Sequence, residues 1–178
     1  MIAVDTNILV YAHRAGSSFH AAARRCVIEL AEGRATWAVP WPCLHEFLCV
    51  VTHPRVFRPP TPLEEALGQV TAWLGSPSLV VLAEAGEYWP TLTSMVTAGR
   101  ASGTRLYDAR IAALCRLHGV RELWTADRDF TRFPELTVFN PLVAGEVHES
   151  APADGAHRRA RAAGKRHAAR ARQPSAHP

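Results

Sequence analysis

Five short strand-like runs, the first four parted from one another by stretches of helical periodicity, constrain this chain more than any other feature. They fall at residues 2–5, 37–39, 79–82, 120–125 and 136–139. Ile2-Ala3-Val4, before Asp5, reads as a strand buried on both faces, and Leu79–Leu82 is continuously apolar. Amphipathic stretches lie between them, near 7–13, 18–32, 42–51, 87–99 and 105–118, with another after Thr61. Strands separated by helices in this way predict a parallel sheet covered on both faces by helices, an α/β fold.

The helix boundaries carry their own signals. Phe19, Ala23, Cys26, Val27 and Leu30 place the inward face of the second helix. Pro42 suits the first turn of the third, and His53-Pro54 ends it. Thr61-Pro62-Leu63-Glu64 combines an N-cap, a proline at the first helical position and a capping-box glutamate. The helix it starts carries Leu63, Leu67, Val70 and Leu74.

Against this apolar pattern stand Asp5, Glu46, Asp108 and Asp127, with Asp129 two positions beyond the last. Carboxylates are rarely buried unless paired or bound to a cation. Asp5 and Asp127 follow strand-like runs, and ligands in open α/β sheets bind just outside the carboxyl ends of strands. Glu46 interrupts an otherwise apolar helix, and Asp108 shares a helical face with Ile111, Ala112 and Cys115. Each acid also has a structural reading. Asp5 can cap the following helix, Glu46 can pair with an arginine, Asp108 can answer a helix dipole, and Asp127 and Asp129 can be turn residues. Together they point to a shared metal site and to metal-dependent chemistry on phosphate.

The charge is unevenly spread. Residues 1–149 hold 13 basic and 15 acidic side chains, whereas residues 150–178 hold 7 basic and 1 acidic. The net charge of +4 therefore belongs to the tail and says little about the folded body. We expect one domain over residues 1–143 and a basic, disordered tail over 144–178 that is able to attract RNA through counterion release. No apolar run is long enough to span a bilayer and no basic signal-peptide region precedes the first strand, so a cytoplasmic protein is expected. Cys26, Cys43, Cys49 and Cys115 lack the paired spacing of a zinc site and sit among apolar residues, as reduced core cysteines do.

Four blocks, DTNILVYA at 5–12, WPCLHEFL at 41–48, YDARIAALC at 107–115 and TADRDF at 125–130, resemble in content and order those of PIN domains. The likeness covers residues 1–143 and is strongest to VapC-type toxins of type II toxin–antitoxin pairs, particularly the mycobacterial branch. It implies a PIN-like three-layer fold, with a central parallel sheet flanked by helices, and a Mg²⁺-dependent endoribonuclease in which Mn²⁺ is able to substitute. Carried over by position, Asp5, Glu46, Asp108 and Asp127 would bind metal. Asp129 would assist as an accessory acid, and Asn7 and Thr125 would hold the acids or a metal-bound water. The likeness also implies an RNA substrate, with transfer or ribosomal RNA loops as targets and translational arrest as the outcome, together with a small cognate antitoxin and a homodimer.

Two other readings stay open on the sequence. One is a PIN nuclease of RNA maturation that has no antitoxin; the other is a non-catalytic RNA-binding module whose acids hold a structural cation. Trp37, Trp41, Trp73, Trp89 and Trp124 are candidates for base stacking as well as for the core, and His45 adjoins Glu46. Arg100, Arg105 and Arg110 are candidates for phosphate contacts or for a solvated helix face.

Overall fold

The computed structural model describes residues 1–143; the basic tail, 144–178, lies outside the described residues. The chain runs β1 (Ile2–Val4), α1 (Thr6–His13), α2 (His20–Glu32), β2 (Trp37–Pro40), α3 (Trp41–Val51), α4 (Leu63–Leu74) and β3 (Leu79–Leu82). It continues through α5 (Tyr88–Ala98), a 3₁₀ turn (Gly103–Arg105), α6 (Leu106–Leu117), β4 (Glu122–Trp124), a 3₁₀ helix (Arg128–Arg132) and β5 (Val138–Phe139).

All five strands are parallel, in the order β3-β2-β1-β4-β5. Parallel neighbours require crossover connections rather than hairpins. The chain moves outward from β1 to β2 to β3, then returns to the far side of β1 through α5 and α6. That reversal separates the helices into two layers. In one, α1 packs on α2 and α3, and α3 on α4; in the other, α5 packs on α6. The expected α/β three-layer arrangement is what forms.

The reversal also makes β1 and β4 neighbours whose following segments diverge. Ile2 pairs with Glu122 and Val4 with Trp124, and the Asp5 amide continues the ladder to the Trp124 carbonyl at 3.0 Å. Asp5 and Thr125 therefore leave the sheet side by side, at the switch point where open α/β sheets bind ligands.

The core explains the sequence pattern. Trp37, Phe47, Phe130, Phe133, Ile8, Leu9 and Leu123 are fully buried, each contributing ~1.5–3 kcal/mol by leaving water. β2 is buried along its whole length, but β3, at the sheet edge, leaves Val80 exposed. No helix among the described residues is long and apolar enough to cross a membrane.

Three local expectations are corrected. Thr61 does not cap α4, whose first turn has no side-chain cap. Its hydroxyl is instead buried against α1, where Arg14 donates to it at 2.8 Å and His13 lies at 3.3 Å. Consequently α4 buries Ala66, Val70 and Trp73 and turns Leu63, Leu67 and Leu74 towards solvent. The three leucines share a stripe, but tertiary packing chose the neighbouring one. Cys49 is exposed on α3 rather than buried.

Candidate active site

Asp5 ends β1 and begins α1, and both of its carboxylate oxygens are engaged. Oδ1 accepts the Thr6 amide at 2.8 Å, which is the predicted capping role. The Cys43 thiol approaches the same oxygen at 3.6 Å. Oδ2 accepts the Asn7 side-chain amide at 2.6 Å and the Thr125 hydroxyl at 2.7 Å. Every one of these donors is neutral. A carboxylate only 1 % exposed is thus oriented by dipoles rather than neutralised by an ion pair.

Thr125 is the node of this network. While its hydrogen goes to Asp5, its oxygen accepts the Asn7 side-chain amide at 2.8 Å and the Asp127 backbone amide at 3.0 Å. Asn7 turns its own oxygen to the Ala126 amide at 3.0 Å. The two strand ends are therefore pinned to each other by side chains, and Asp127 is set two residues from Thr125. Asp127 Oδ1 caps the following 3₁₀ helix through the Asp129 amide at 2.8 Å, and Oδ2 is shielded from solvent.

Glu46 reaches the same centre from α3. Its Oε2 accepts the Thr6 hydroxyl at 2.8 Å, so Thr6 links Glu46 and Asp5 through its two donors. Asp108 is buried in the first turn of α6, 2 % exposed. Asp129 stands apart on the half-exposed rim, where its carboxylate lies 3.4 Å from the Arg132 guanidinium. Thr6 and Cys43 belong to the site although the sequence did not single them out as functional. Thr6 sits inside the Asp5–Asn7 block, the one signal that marked it.

Electrostatics locate Asp5 between two helices. Burial pushes the Cys43 thiol on α3 well above its ordinary pKa, and the Asp5 and Glu46 charges push it further. Burial likewise raises Cys115 on α6, with Asp5 again adding to it. One carboxylate thus acts on thiols of two helices, α3 and α6.

Among the described residues no three His, Cys, Asp or Glu side chains are arranged as a ready metal cage. Mg²⁺ does not need one, because it keeps several waters and takes one or two carboxylates plus substrate phosphate. An all-oxygen donor set around an un-neutralised Asp5 fits such an ion, whereas the thiols, held protonated, do not suit zinc.

The PIN-domain family model matches residues 2–136, the span that carries all five acids. The chain belongs to the PIN-domain family. Among curated PIN-domain relatives, the VapC ribonuclease Mb2897 of Mycobacterium bovis is 35 % identical over 148 residues, covering 83 % of this chain and 99 % of that protein. Ribonuclease VapC48 of Mycobacterium tuberculosis is 30 % identical over 138 residues, covering 78 % and 95 %. The PIN fold is shared with the crystal structure of Mycobacterium tuberculosis VapC20, described as a toxin that cleaves the sarcin-ricin loop. That match has a TM-score of 0.54 at 20 % identity and covers 74 % of this chain and 93 % of that one.

Proposed function

We propose that this PIN domain is a Mg²⁺-dependent endoribonuclease, the toxin of a toxin–antitoxin pair. The observation that carries the reading is the Asp5 carboxylate, buried at the β1/β4 switch point and held only by neutral donors. The VapC names of its relatives support ribonuclease rather than another phosphoryl chemistry. They also favour the toxin over a maturation nuclease or a non-catalytic module.

Asp5, Glu46, Asp108 and Asp127 would hold the ion, with Mn²⁺ as a substitute. When bound, it supplies activation of the attacking water and neutralises charge at the scissile phosphate. The protein's own contribution is preorganisation. Thr125, Asn7 and the Thr6 amide fix the Asp5 oxygens, and the Thr6 hydroxyl fixes Glu46. The acids are thereby set before substrate arrives, so little reorganisation is needed during reaction. Asp129, exposed beside Arg132, would assist as an accessory acid, binding the ion directly or through water. The substrate is a loop of transfer or ribosomal RNA, where unstacked bases are accessible. The protein acts as a cytoplasmic homodimer restrained by a small antitoxin.

The test is cleavage of total cellular RNA by the purified chain with Mg²⁺ or Mn²⁺, beside Asp5→Ala. Discrete fragments are expected from the wild type alone, disappearing with EDTA. Persistent cutting in excess EDTA, or an Asp5→Ala protein that cuts as well as wild type, would overturn the mechanism.

A further inference from the structure

The helices that carry Glu46 and Asp108 also wall a groove of about 410 Å³ at the carboxyl edge of the sheet. Its lining includes Trp41, Pro42 and His45 of α3, Glu84 beyond β3, and Arg110 and Leu114 of α6. His45 and Glu46 share α3, and Arg110 and Asp108 share α6, but offsets of one and two residues point the groove side chains in other directions from the acids, so the groove lies outside the acid cluster.

Two features in it call for a ligand. Trp37 and Trp73 are buried, as core tryptophans are, but Trp41 is 39 % exposed. Its indole and the His45 imidazole stack with centroids 5.7 Å apart and planes 28° from parallel. Two rings layered at a groove wall make a rigid π surface rather than core packing. Opposite, Arg110 directs both Nε and Nη2 to a single oxygen of Glu84, at 2.8 and 2.7 Å. A guanidinium has five N–H donors, so Glu84, with Tyr88 beside it, fixes its plane while donors remain for an anion.

A π surface beside an oriented guanidinium matches a nucleotide: the base stacks while the phosphate is held by a planar donor fork. We infer that this groove is a single-stranded RNA subsite, in which a base of the strand outside the acids stacks on the Trp41–His45 pair and an adjoining phosphate is held by Arg110. The inference rests on the ribonuclease reading and adds to it the residues that grip the strand outside the acids. Because stacking accepts any base, the subsite supplies affinity and placement, not sequence choice.

Binding tests it, with the full chain in an Asp5→Ala background so that no RNA is cut. The probes are fluorescein-labelled oligoadenylate and the same ribose-phosphate strand without bases, read by fluorescence anisotropy. Trp41→Ala is expected to weaken oligoadenylate binding by about 5- to 150-fold, the range for one stacked base, and to leave the abasic strand unaffected. Trp41→Phe should restore most of the loss. Should Trp41→Ala fail to fold, Trp41→Leu keeps apolar bulk without a π face and serves the same purpose. Arg110→Gln should weaken both probes alike and reduce the salt slope by about one. Unchanged oligoadenylate binding by Trp41→Ala, or an equal loss on the abasic strand, would overturn the subsite. The two proposals fail separately. If the wild type cuts RNA while these variants bind normally, only the subsite falls. If binding follows the pattern while no RNA is cut with either metal, the subsite stands and the nuclease reading falls.

Discussion

The Thr125 hydroxyl, at the end of β4, donates to Oδ2 of Asp5, at the end of β1, across 2.7 Å. This one bond joins the two strands at the point where strand order reverses. Because the same oxygen accepts from Asn7 and from the Asp127 amide, the hydroxyl is saturated and its rotor is fixed. It therefore positions two acids, Asp5 directly and Asp127 through the backbone.

Thr125→Val is nearly isosteric and removes only this chemistry. It leaves the Asn7 amide and the Asp127 backbone amide short of an acceptor and takes a donor from Asp5. Leaving such buried groups unsatisfied costs about 1–3 kcal/mol, to be read by urea unfolding. Loosening a group that orients a metal ligand lowers metal affinity by about 10- to 100-fold, to be read as the Mg²⁺ concentration giving half-maximal cleavage. Thr125→Ser retains the hydroxyl and should stay close to wild type. Equal behaviour of Val and Ser would refute the orienting role.

Glu46→Gln separates charge from hydrogen bonding. The amide oxygen can still accept the Thr6 hydroxyl, so the bond at 2.8 Å survives while the negative charge does not. The expected result is an unchanged melting temperature with cleavage reduced by more than about tenfold, because metal ligation requires the carboxylate. A large drop in stability without loss of activity would make Glu46 structural.

The fold was legible where burial is two-sided. β1 and β2 are apolar without interruption because both faces are covered, and the crossover rules then leave few orders for the sheet. The acids were legible for the same reason, since Asp5 and Asp108 are polar residues at positions the pattern marks as buried. The stripe on α4 was not. Leu63-Leu67-Leu74 and Ala66-Val70-Trp73 are both apolar, and only the shape of α3, with Phe47 against Trp73 at 4.8 Å, selects the second. Thr61 was misread because its local signature for a cap is real but lost to a long-range partner, Arg14. The distance between the two is 47 residues, beyond any local window.

His13 gives the protein a pH dependence of known sign. Burial lowers its pKa below the ordinary 6.5; Glu65 and Gln69 oppose that shift, and Arg14 and His20 add to it. The unfolded chain thus binds more protons than the folded one between the two values, and stability rises with pH there. The contribution is complete above 6.5 and is lost as pH falls through the lower, folded value. Urea midpoints measured from about pH 7 down to about pH 5 should decline, with a shallower decline in His13→Gln. A steeper decline in the variant would reverse the assignment.

Thiol reactivity checks the site's burial without reference to RNA. Alkylation needs both access and thiolate. Cys49 is exposed, whereas Cys26, Cys43 and Cys115 are buried and burial is the first cause raising the pKa of each. Iodoacetamide applied to the native protein should therefore label Cys49 alone, and all four cysteines after unfolding, as read by peptide mass spectrometry. Asp5→Ala sharpens the test. It removes the largest of the charge effects that raise Cys43 but leaves the desolvation that dominates. Cys43 should then remain unlabelled in the folded variant. Rapid labelling of Cys43 in folded Asp5→Ala would mean that the carboxylate, rather than burial, keeps that thiol protonated, and that the site beneath Asp5 is open to solvent.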